Sequence, residues 1–169
     1  DATFGRGGHA RAILERLGPE GQLLVFDQDP DAQAVAKGVF DDPRLVFVAR
    51  SFAELGDEIA ARGLVGRIDG ILFDLGVSSP QFDVAERGFS FRHAGPLDMR
   101  MNTRTGTTLG EWLARASHGE IARVIKTLGE EPMAGRIAGR ILDAREAGTL
   151  TDTGALAKIV ADAVPARIS

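Results

Sequence analysis

The chain has 169 residues, 44% of them hydrophobic and 26% charged, a composition typical of a globular protein with one sizeable core. It has no cysteine, which excludes disulfides and thiolate metal sites, and its three histidines are widely scattered, so we expect no metal site. The net charge of -4 argues weakly against a surface that binds nucleic acid everywhere. We find no charged-then-apolar leader and no run near the roughly eighteen apolar residues of a membrane span, so we expect a cytoplasmic protein without membrane contact.

A glycine-rich loop opens the sequence. Residues 1–9 read Asp-Ala-Thr-Phe-Gly-Arg-Gly-Gly-His and precede a helical pattern, so their backbone amides would lie at a helix N-terminus, where an anion is favoured. The glycine spacing differs from the G-x-G-x-x-G of a dinucleotide site, whereas the carboxylate of S-adenosylmethionine can be bound by a shorter turn. The loop alone favours a cofactor site and a plain strand-to-helix turn about equally.

The first half of the chain alternates short apolar runs with amphipathic segments. The apolar runs are Leu23–Phe26, Leu45–Val48 and Ile71–Phe73, and this order predicts a parallel sheet flanked by helices. An N-cap at Asp29, followed by proline, and a capping box from Ser51 to Glu54 predict helix starts directly after the first two strands. We therefore predict an α/β fold for this half.

Two side chains follow the first two predicted strands, at the edge where open α/β sheets bind ligands. Asp27 lies about twenty residues after the glycine loop, and an acid at that position can accept hydrogen bonds from two ribose hydroxyls. Its alternative role is a turn or helix-capping carboxylate, although Asp29 is better placed for the cap. Phe52 could form an apolar wall for adenine, but a lone aromatic residue is more often part of the core.

The segment from Asp74 to Gln81, Asp-Leu-Gly-Val-Ser-Ser-Pro-Gln, follows the third apolar run and leaves the sheet at the same edge. Methyl transfer to an exocyclic amine needs acceptors that orient the amine hydrogens while positive charge develops. Asp74, Ser78 and Ser79 are candidates for that role. The alternative is that Ser-Ser-Pro only turns the chain.

The second half begins with a long predicted loop at residues 84–106, which lacks periodicity. It is basic inside an acidic chain, and charge alone favours a solvated loop over a binding site. Two capping boxes and a helical apolar period then predict about four helices in a small bundle. We therefore divide the chain into a first part of a Rossmann-like domain (1–84), a loop (85–106) and a helical subdomain (107–169).

Three stretches of the chain resemble the bacterial 16S ribosomal RNA (small-subunit) cytosine-N4 methyltransferase family. They are residues 1–9, residues 26–30 and, most specifically, residues 74–101, which contain DLGVSSPQFD, ERGFSFR and GPLDMRM. The resemblance covers essentially the whole chain. It implies a Rossmann-like class I methyltransferase fold with an inserted all-helical subdomain used in substrate recognition. Family members extend beyond both ends, and the missing first strand also leads us to expect a fragment with an incomplete sheet.

The resemblance implies an activity and the residues that serve it. The activity is methyl transfer from S-adenosyl-L-methionine to the N4 amine of a cytidine in the decoding region of 16S ribosomal RNA, with S-adenosyl-L-homocysteine as the second product. The catalytic candidates remain Asp74, Ser78 and Ser79, from the chemistry of the 74–81 segment. The implied cofactor-binding residues are Gly7, Gly8, His9, Asp27, Phe52, Asp74 and Gln81. The candidate RNA contacts are Arg92, Arg100 and Arg104, with Phe89 and Phe91.

One departure and two alternatives accompany this interpretation. The Ser-Ser-Pro-Gln segment is similar to the Ser-Pro-Pro-Tyr type motif of amino-methylating DNA enzymes, but Gln81 replaces the aromatic residue. A small-molecule or DNA amine methyltransferase would keep the same fold, and the basic Phe-Arg loop favours RNA over both. A non-catalytic ribosome-assembly module is a further alternative, against which the intact 74–81 segment argues. The general base stays unassigned, because water or a carbonyl can take the amine proton.

Overall fold

The computed structural model describes residues 1–39 and 41–164, and the chain forms two compact units. The first unit comprises residues 1–78 with 101–105, and the second comprises residues 79–100 with the chain from residue 106 onward. The boundaries at residues 84 and 106, predicted from the loss of periodicity and the start of the helical pattern, stay predictions. Among the described residues, every helix is too short or too polar to cross a membrane.

The first unit is an α/β layer built on a short parallel sheet. Its elements in chain order are α1 (Gly8–Leu14), β1 (Leu23–Phe26), α2 (Pro30–Val39), β2 (Leu45–Val48), a 3-10 turn (Phe52–Glu54) and α3 (Leu55–Ala61). The two strands pair in parallel, with Leu23 opposite Leu45 and Phe26 opposite Val48. The strand–helix–strand order follows the sequence pattern, and the predicted Rossmann-like α/β class is confirmed.

The core of this unit lies where α1 and α2 cover the sheet. Leu23 and Val25 alternate along β1 and are both buried, while Ala32 and Ala36, one turn apart on α2, face the same cluster. The small alanine side chains allow a helix to approach a strand closely. Phe4 packs edge to face on Phe47, with ring centroids 5.4 Å apart. This packing fixes the carboxyl ends of both strands.

Residues 1–4 lie between β1 and the segment 71–74. The Phe26 N–H donates to the Asp1 carbonyl (2.8 Å) and the Phe4 N–H to the Phe26 carbonyl (2.9 Å). On the other side, the Ala2 N–H donates to the Leu72 carbonyl (2.8 Å). The beginning of the chain therefore occupies the position of a central strand before it turns into the glycine loop.

The prediction of a buried third strand at residues 71–73 is wrong. The backbone ladder does not continue past the Ala2–Leu72 bond, since the Asp74 N–H donates to the Thr3 side chain instead of a backbone carbonyl. One backbone bond is too little to define a strand. Ile71 is 54% exposed and Phe73 is exposed to a similar extent. The segment still runs beside residues 1–4, so Asp74 remains at the same edge.

The two predicted helix starts of this unit have different outcomes. Asp29 accepts a hydrogen bond from the Asp31 N–H (3.0 Å) and caps α2, as predicted. Ser51 accepts a bond from the Ala53 N–H (3.3 Å), and the carboxylate of Glu54 bonds Arg50 (3.1 Å), so the predicted capping box is wrong. The tighter winding of a 3-10 turn brings a different amide to the serine oxygen.

The second unit is helical, and the predicted bundle of about four helices is confirmed. It contains α4 (Ser79–Asp83), a 3-10 turn (Ala85–Arg87), α5 (Leu109–Arg115), α6 (His118–Leu128), α7 (Ala134–Glu146) and α8 (Thr153–Ala163). Helices α5 to α8 share one apolar core, which includes Leu113, Ile121, Ile137, Ile141 and Ala163. The predicted capping boxes at Thr108 and Ser117 both form.

Candidate functional site

The glycine-rich loop turns sharply between the central position of the sheet and α1. Gly5 and Gly7 have φ values of 54° and 76°, a left-handed conformation that residues with a Cβ adopt only at a cost. In the part of the chain that the structure describes, a Cβ added at Gly5 or Gly8 would meet no atom within 4 Å. The loop therefore needs glycine at 5 and 7 for its conformation and leaves its surface open to a ligand at 5 and 8.

Asp27 ends β1 and is bound directly to this loop. Its Oδ2 accepts a hydrogen bond from the Gly5 N–H (2.8 Å), and its Oδ1 accepts one from the Asp29 N–H (2.9 Å). Two backbone donors fix the orientation of this partly buried carboxylate, while each oxygen retains a further acceptor position. Such a carboxylate can accept hydrogen bonds from two neighbouring hydroxyls. Because Asp29 caps α2, Asp27 is not needed for that role.

Asp74 reaches the loop from the other side of residues 1–4. Its backbone N–H donates to Thr3 Oγ1 (2.8 Å), and its Oδ2 lies 3.7 Å from Nδ1 of His9. Both side chains are more than half exposed, so this pair contributes little to stability and is open to a ligand. Thr3 was not singled out from the sequence, because its contact spans 71 positions along the chain. The loop is thus flanked by the carboxylates of Asp27 and Asp74.

Phe52 forms an exposed aromatic pair with Phe73. The two rings meet edge to face, with centroids 5.8 Å apart and planes at 89°. Phe52 is 44% exposed, so it is not the core residue that its lone position in the sequence favours. Its partner directly precedes Asp74, and this adjacency was the sequence signal for Phe73. The pair offers an apolar edge that an adenine ring can contact.

The remaining residues of the 74–81 segment are divided between the two units. Ser78 is partly buried and ends the first unit, whereas Ser79 is exposed and begins α4 in the second. Gln81 lies inside α4 and is only 5% exposed. The first unit therefore contains the glycine loop, Asp27, Phe52, Asp74 and Ser78. The predicted functions of Ser79, from the chemistry of its segment, and of Gln81, from the family resemblance, stay predictions.

The three arginines predicted to bind RNA have different surroundings. Arg100 forms a bidentate pair with Asp98, with Nε–Oδ1 and Nη2–Oδ2 distances of 2.8 Å each. These hydrogen bonds hold the pKa of Asp98 below its usual value. Arg100 therefore stabilises its loop, and its RNA contact stays a prediction that this pairing does not favour. Arg92 in the second unit and Arg104 in the first are both exposed.

The Asp98–Arg100 pair repeats a local arrangement found elsewhere in the chain. Asp42 and Arg44 have the same Asp-x-Arg spacing, and Oδ1 and Oδ2 of Asp42 accept from Nε (3.0 Å) and Nη2 (2.7 Å) of Arg44. In both motifs the arginine backbone N–H also donates to Oδ1 of the aspartate. The Asp-x-Arg spacing is therefore a sequence signal that Arg100 pairs with Asp98 and stabilises the loop.

A parallel sheet with a glycine loop at its central position and carboxylates on both sides defines the Rossmann-like class I methyltransferase fold. The family comparison makes the assignment specific, because the model of the MraW methylase family matches residues 1–168. The chain belongs to the MraW methylase family. This is the family of the 16S ribosomal RNA N4-cytidine methyltransferase, so the resemblance read from the sequence is confirmed. Family membership makes S-adenosylmethionine the methyl donor.

Proposed function

We propose that this protein transfers a methyl group from S-adenosyl-L-methionine to the exocyclic N4 amine of a cytidine in the decoding region of 16S ribosomal RNA. The binding of S-adenosylmethionine is supported by the hydrogen bond between the Gly5 N–H and the Asp27 carboxylate, which joins the glycine loop to the acid that follows β1. The acceptor half is supported by membership in the MraW methylase family. A ribosomal substrate would also make the protein cytoplasmic.

The residues around the loop fit the donor. Asp27 would accept hydrogen bonds from the two ribose hydroxyls, because its carboxylate is fixed and its remaining acceptor positions are available. Gly7, Gly8 and His9 would bind the methionine end, and Phe52 would contact adenine. When bound, S-adenosylmethionine supplies a methyl group activated by the positive charge on sulfur.

The acceptor amine needs hydrogen-bond acceptors. Cytosine N4 becomes more positive as it takes up a methyl group, so groups that hold its hydrogens stabilise the transition state. The exposed carboxylate of Asp74 is the charged candidate, and the Thr3 bond to its backbone limits its movement. The hydroxyls of Ser78 and Ser79 are the neutral candidates. One proton leaves N4, and because water can accept it, the proposal includes no general base.

The RNA half of the proposal depends on access to the base. A base that is methylated on its exocyclic amine must leave its stack, so the substrate is a single-stranded or splayed segment. The exposed guanidinium groups of Arg92 and Arg104 would contact phosphates along such a segment. An overall net charge of -4 limits this attraction to local basic surfaces.

The test measures label transfer from radioactive S-adenosylmethionine to several acceptors with the full-length protein. The panel contains small ribosomal subunits that lack the modification, free ribosomal RNA, DNA and cytidine. We expect label in one cytidine of the subunit RNA, with mass spectrometry of nucleosides placing the methyl group on N4. Label in DNA or in a small molecule would support the alternative substrates. No transfer to any acceptor would favour a non-catalytic assembly module.

A further inference from the structure

Residues 85–98 form a closed loop within the second unit. At its base, the Met99 N–H donates to the Arg87 carbonyl (3.1 Å), and Nη2 of Arg87 donates to the Arg100 carbonyl (3.2 Å). Arg87 is buried, so these bonds are protected from water. The two ends of the loop are therefore joined by a buried side chain as well as by the backbone.

The base of the loop is too narrow for side chains at two positions. A Cβ on Gly95 would collide with the Ala85 carbonyl, and a Cβ on Gly88 would collide with the Pro96 carbonyl. Gly88 also has a φ of 76°. We call residues 85–88 and 95–98 the neck, and residues 89–94 the tip.

Thr153, the first residue of α8, anchors the neck to the helical bundle. Its N–H donates to the Gly95 carbonyl (2.9 Å), and its Oγ1 accepts a bond from the Gly95 N–H (3.1 Å). The same hydroxyl lies 3.4 Å from the carbonyl of His93, to which it donates. Because Thr153 is buried, the tip is attached to a rigid element.

Ser90 organises the tip itself. Its buried Oγ accepts hydrogen bonds from the N–H groups of Arg92 and His93, each at 3.2 Å. This tight turn leaves the four consecutive residues 91–94 exposed to solvent. Phe91 is 69% exposed, and Arg92 and His93 are exposed beside it. The tip thus presents an aromatic ring and a guanidinium group on an ordered backbone.

The chemistry of the tip fits one kind of partner. The tip itself, residues 89–94, contains Arg92 and no acidic residue, so its charge is positive and complementary to phosphate. A single exposed ring is too small for a stable protein interface, which needs roughly 800 Å² from each partner. An aromatic ring next to a cation is, however, the usual pairing that stacks an unpaired base and contacts its phosphate.

We infer that the tip is a docking element for single-stranded RNA, in which Phe91 stacks on an unpaired base and Arg92 contacts a neighbouring phosphate. Ser90 acts as a positioning residue, because its hydroxyl holds the turn that presents both side chains. The inference rests on the proposed function in taking RNA as the substrate. It adds that Phe91 stacks on an unpaired base and that Ser90 positions the tip, neither of which the proposed function assigns.

The test measures binding of a fluorescent single-stranded RNA to the full-length protein by polarisation, over a range of salt concentrations. The same RNA annealed to its complement is the second probe. Phe91→Leu keeps an apolar side chain but removes the ring, Phe91→Trp keeps the ring, Arg92→Gln removes the charge and Ser90→Ala releases the turn. The matched controls are Leu128→Ala, at another exposed apolar residue, and Arg67→Gln, at another exposed arginine.

We expect Phe91→Leu to weaken single-strand binding about tenfold and Phe91→Trp to retain it. Arg92→Gln should lower the slope of log affinity against log salt by about 0.7. Ser90→Ala should weaken binding severalfold while cofactor affinity, measured by calorimetry, stays unchanged. Circular dichroism melts would show that each variant is folded. The inference is overturned if Phe91→Leu and Arg92→Gln bind like the wild type, if both controls lose as much affinity, or if the duplex binds as well.

This result separates the inference from the proposed function. Binding is measured without turnover, so the tip can be tested even if the wild type fails to methylate ribosomal RNA. In that case weaker RNA binding by the Phe91 and Arg92 variants would support the tip as an RNA-docking element. The assignment of cytidine as the methyl acceptor would be rejected. If the wild type methylates cytidine and the variants keep its affinity and its KM for RNA, the tip inference falls and the function stands.

Discussion

The Gly5 backbone N–H donates a 2.8 Å hydrogen bond to Oδ2 of Asp27 and thereby joins the glycine-rich loop to the carboxyl end of β1. The other oxygen of the same carboxylate is held by the Asp29 N–H, so rotation of the group would break one bond or the other. The two elements expected to bind opposite ends of the cofactor therefore form a single structural unit. A substitution in the glycine loop or at Asp27 should therefore affect binding at both ends of the cofactor.

Replacing Asp27 with alanine should weaken S-adenosylmethionine binding by roughly tenfold or more, because hydrogen bonds to a charged acceptor contribute about 1.5–3 kcal/mol. Isothermal titration calorimetry measures the affinity. Asp57→Ala, at an exposed position on α3, is the control and should bind like the wild type. Equal affinity for Asp27→Ala and the wild type would remove Asp27 from the ribose role.

The glycines at 7 and 8 should respond differently to alanine. Gly7→Ala places a Cβ at a φ of 76° and should cost about 1–2 kcal/mol of unfolding free energy. Gly8 opens α1, where alanine is favoured over glycine, so Gly8→Ala should keep or raise stability. If Gly8 faces the cofactor, its variant should still lose S-adenosylmethionine affinity. Thermal melts and calorimetry measure the two effects, and unchanged affinity in stable Gly8→Ala would argue against its binding role.

Thr3→Val should lower the methyl-transfer rate about tenfold, because the Asp74 N–H loses its acceptor and the carboxylate becomes less ordered. Thr3→Ser retains the hydroxyl and should restore the rate. Single-turnover kinetics at saturating cofactor measure the step. A similar rate for the valine variant and the wild type would show that the bond does not position Asp74.

Changing Ser78 and Ser79 together to alanine should slow methyl transfer more than it weakens cofactor binding. The hydroxyls are expected to orient the amine, whose charge develops only in the transition state. Single-turnover rates and calorimetry on the same variant separate the two quantities. An unchanged rate would reject the assignment, and an equal loss of rate and cofactor affinity would indicate a cofactor contact instead.

Arg100→Gln should reduce stability while leaving RNA affinity close to that of the wild type, in contrast to Arg92→Gln. Because the pKa of Asp98 is lowered in the folded protein, its pair with Arg100 stabilises the fold above the unfolded-state pKa of about 3.9. That contribution is lost as the pH falls through the lower, folded-state pKa. Wild-type stability should therefore fall more steeply in acid than that of the variant, as urea titrations from neutral pH downward would measure.

The parts of the fold that were predictable depend on local signals. Capping at Thr108 and Ser117 is set by residues three positions away, and Asp29-Pro30 acts within one turn. The strand at Leu23–Phe26 was predictable because the run is apolar and bounded by polar residues. These signals do not depend on the rest of the molecule.

The parts that were missed depend on distant residues or on competing geometry. Ile71–Phe73 has the composition of a strand, but the Asp74 N–H bonds the Thr3 side chain in place of a backbone carbonyl, so the ladder ends. The position of Thr3 opposite Asp74 could not be read from either stretch alone. The pairing of Asp98 with Arg100 is local, so the Asp-x-Arg spacing predicts it. The net charge of the segment does not, because it does not show which charges neutralise each other.

The glycine neck has a practical consequence for redesign. Because Gly88 and Gly95 close the loop without side chains and Thr153 is hydrogen-bonded to Gly95, the side chains of the exposed residues 91–94 contribute little to the closure. Their side chains can be exchanged while the backbone path is kept. Variants at the tip would therefore vary the inferred RNA contact while the sequence of the first unit, with its glycine loop and Asp27, stays unchanged.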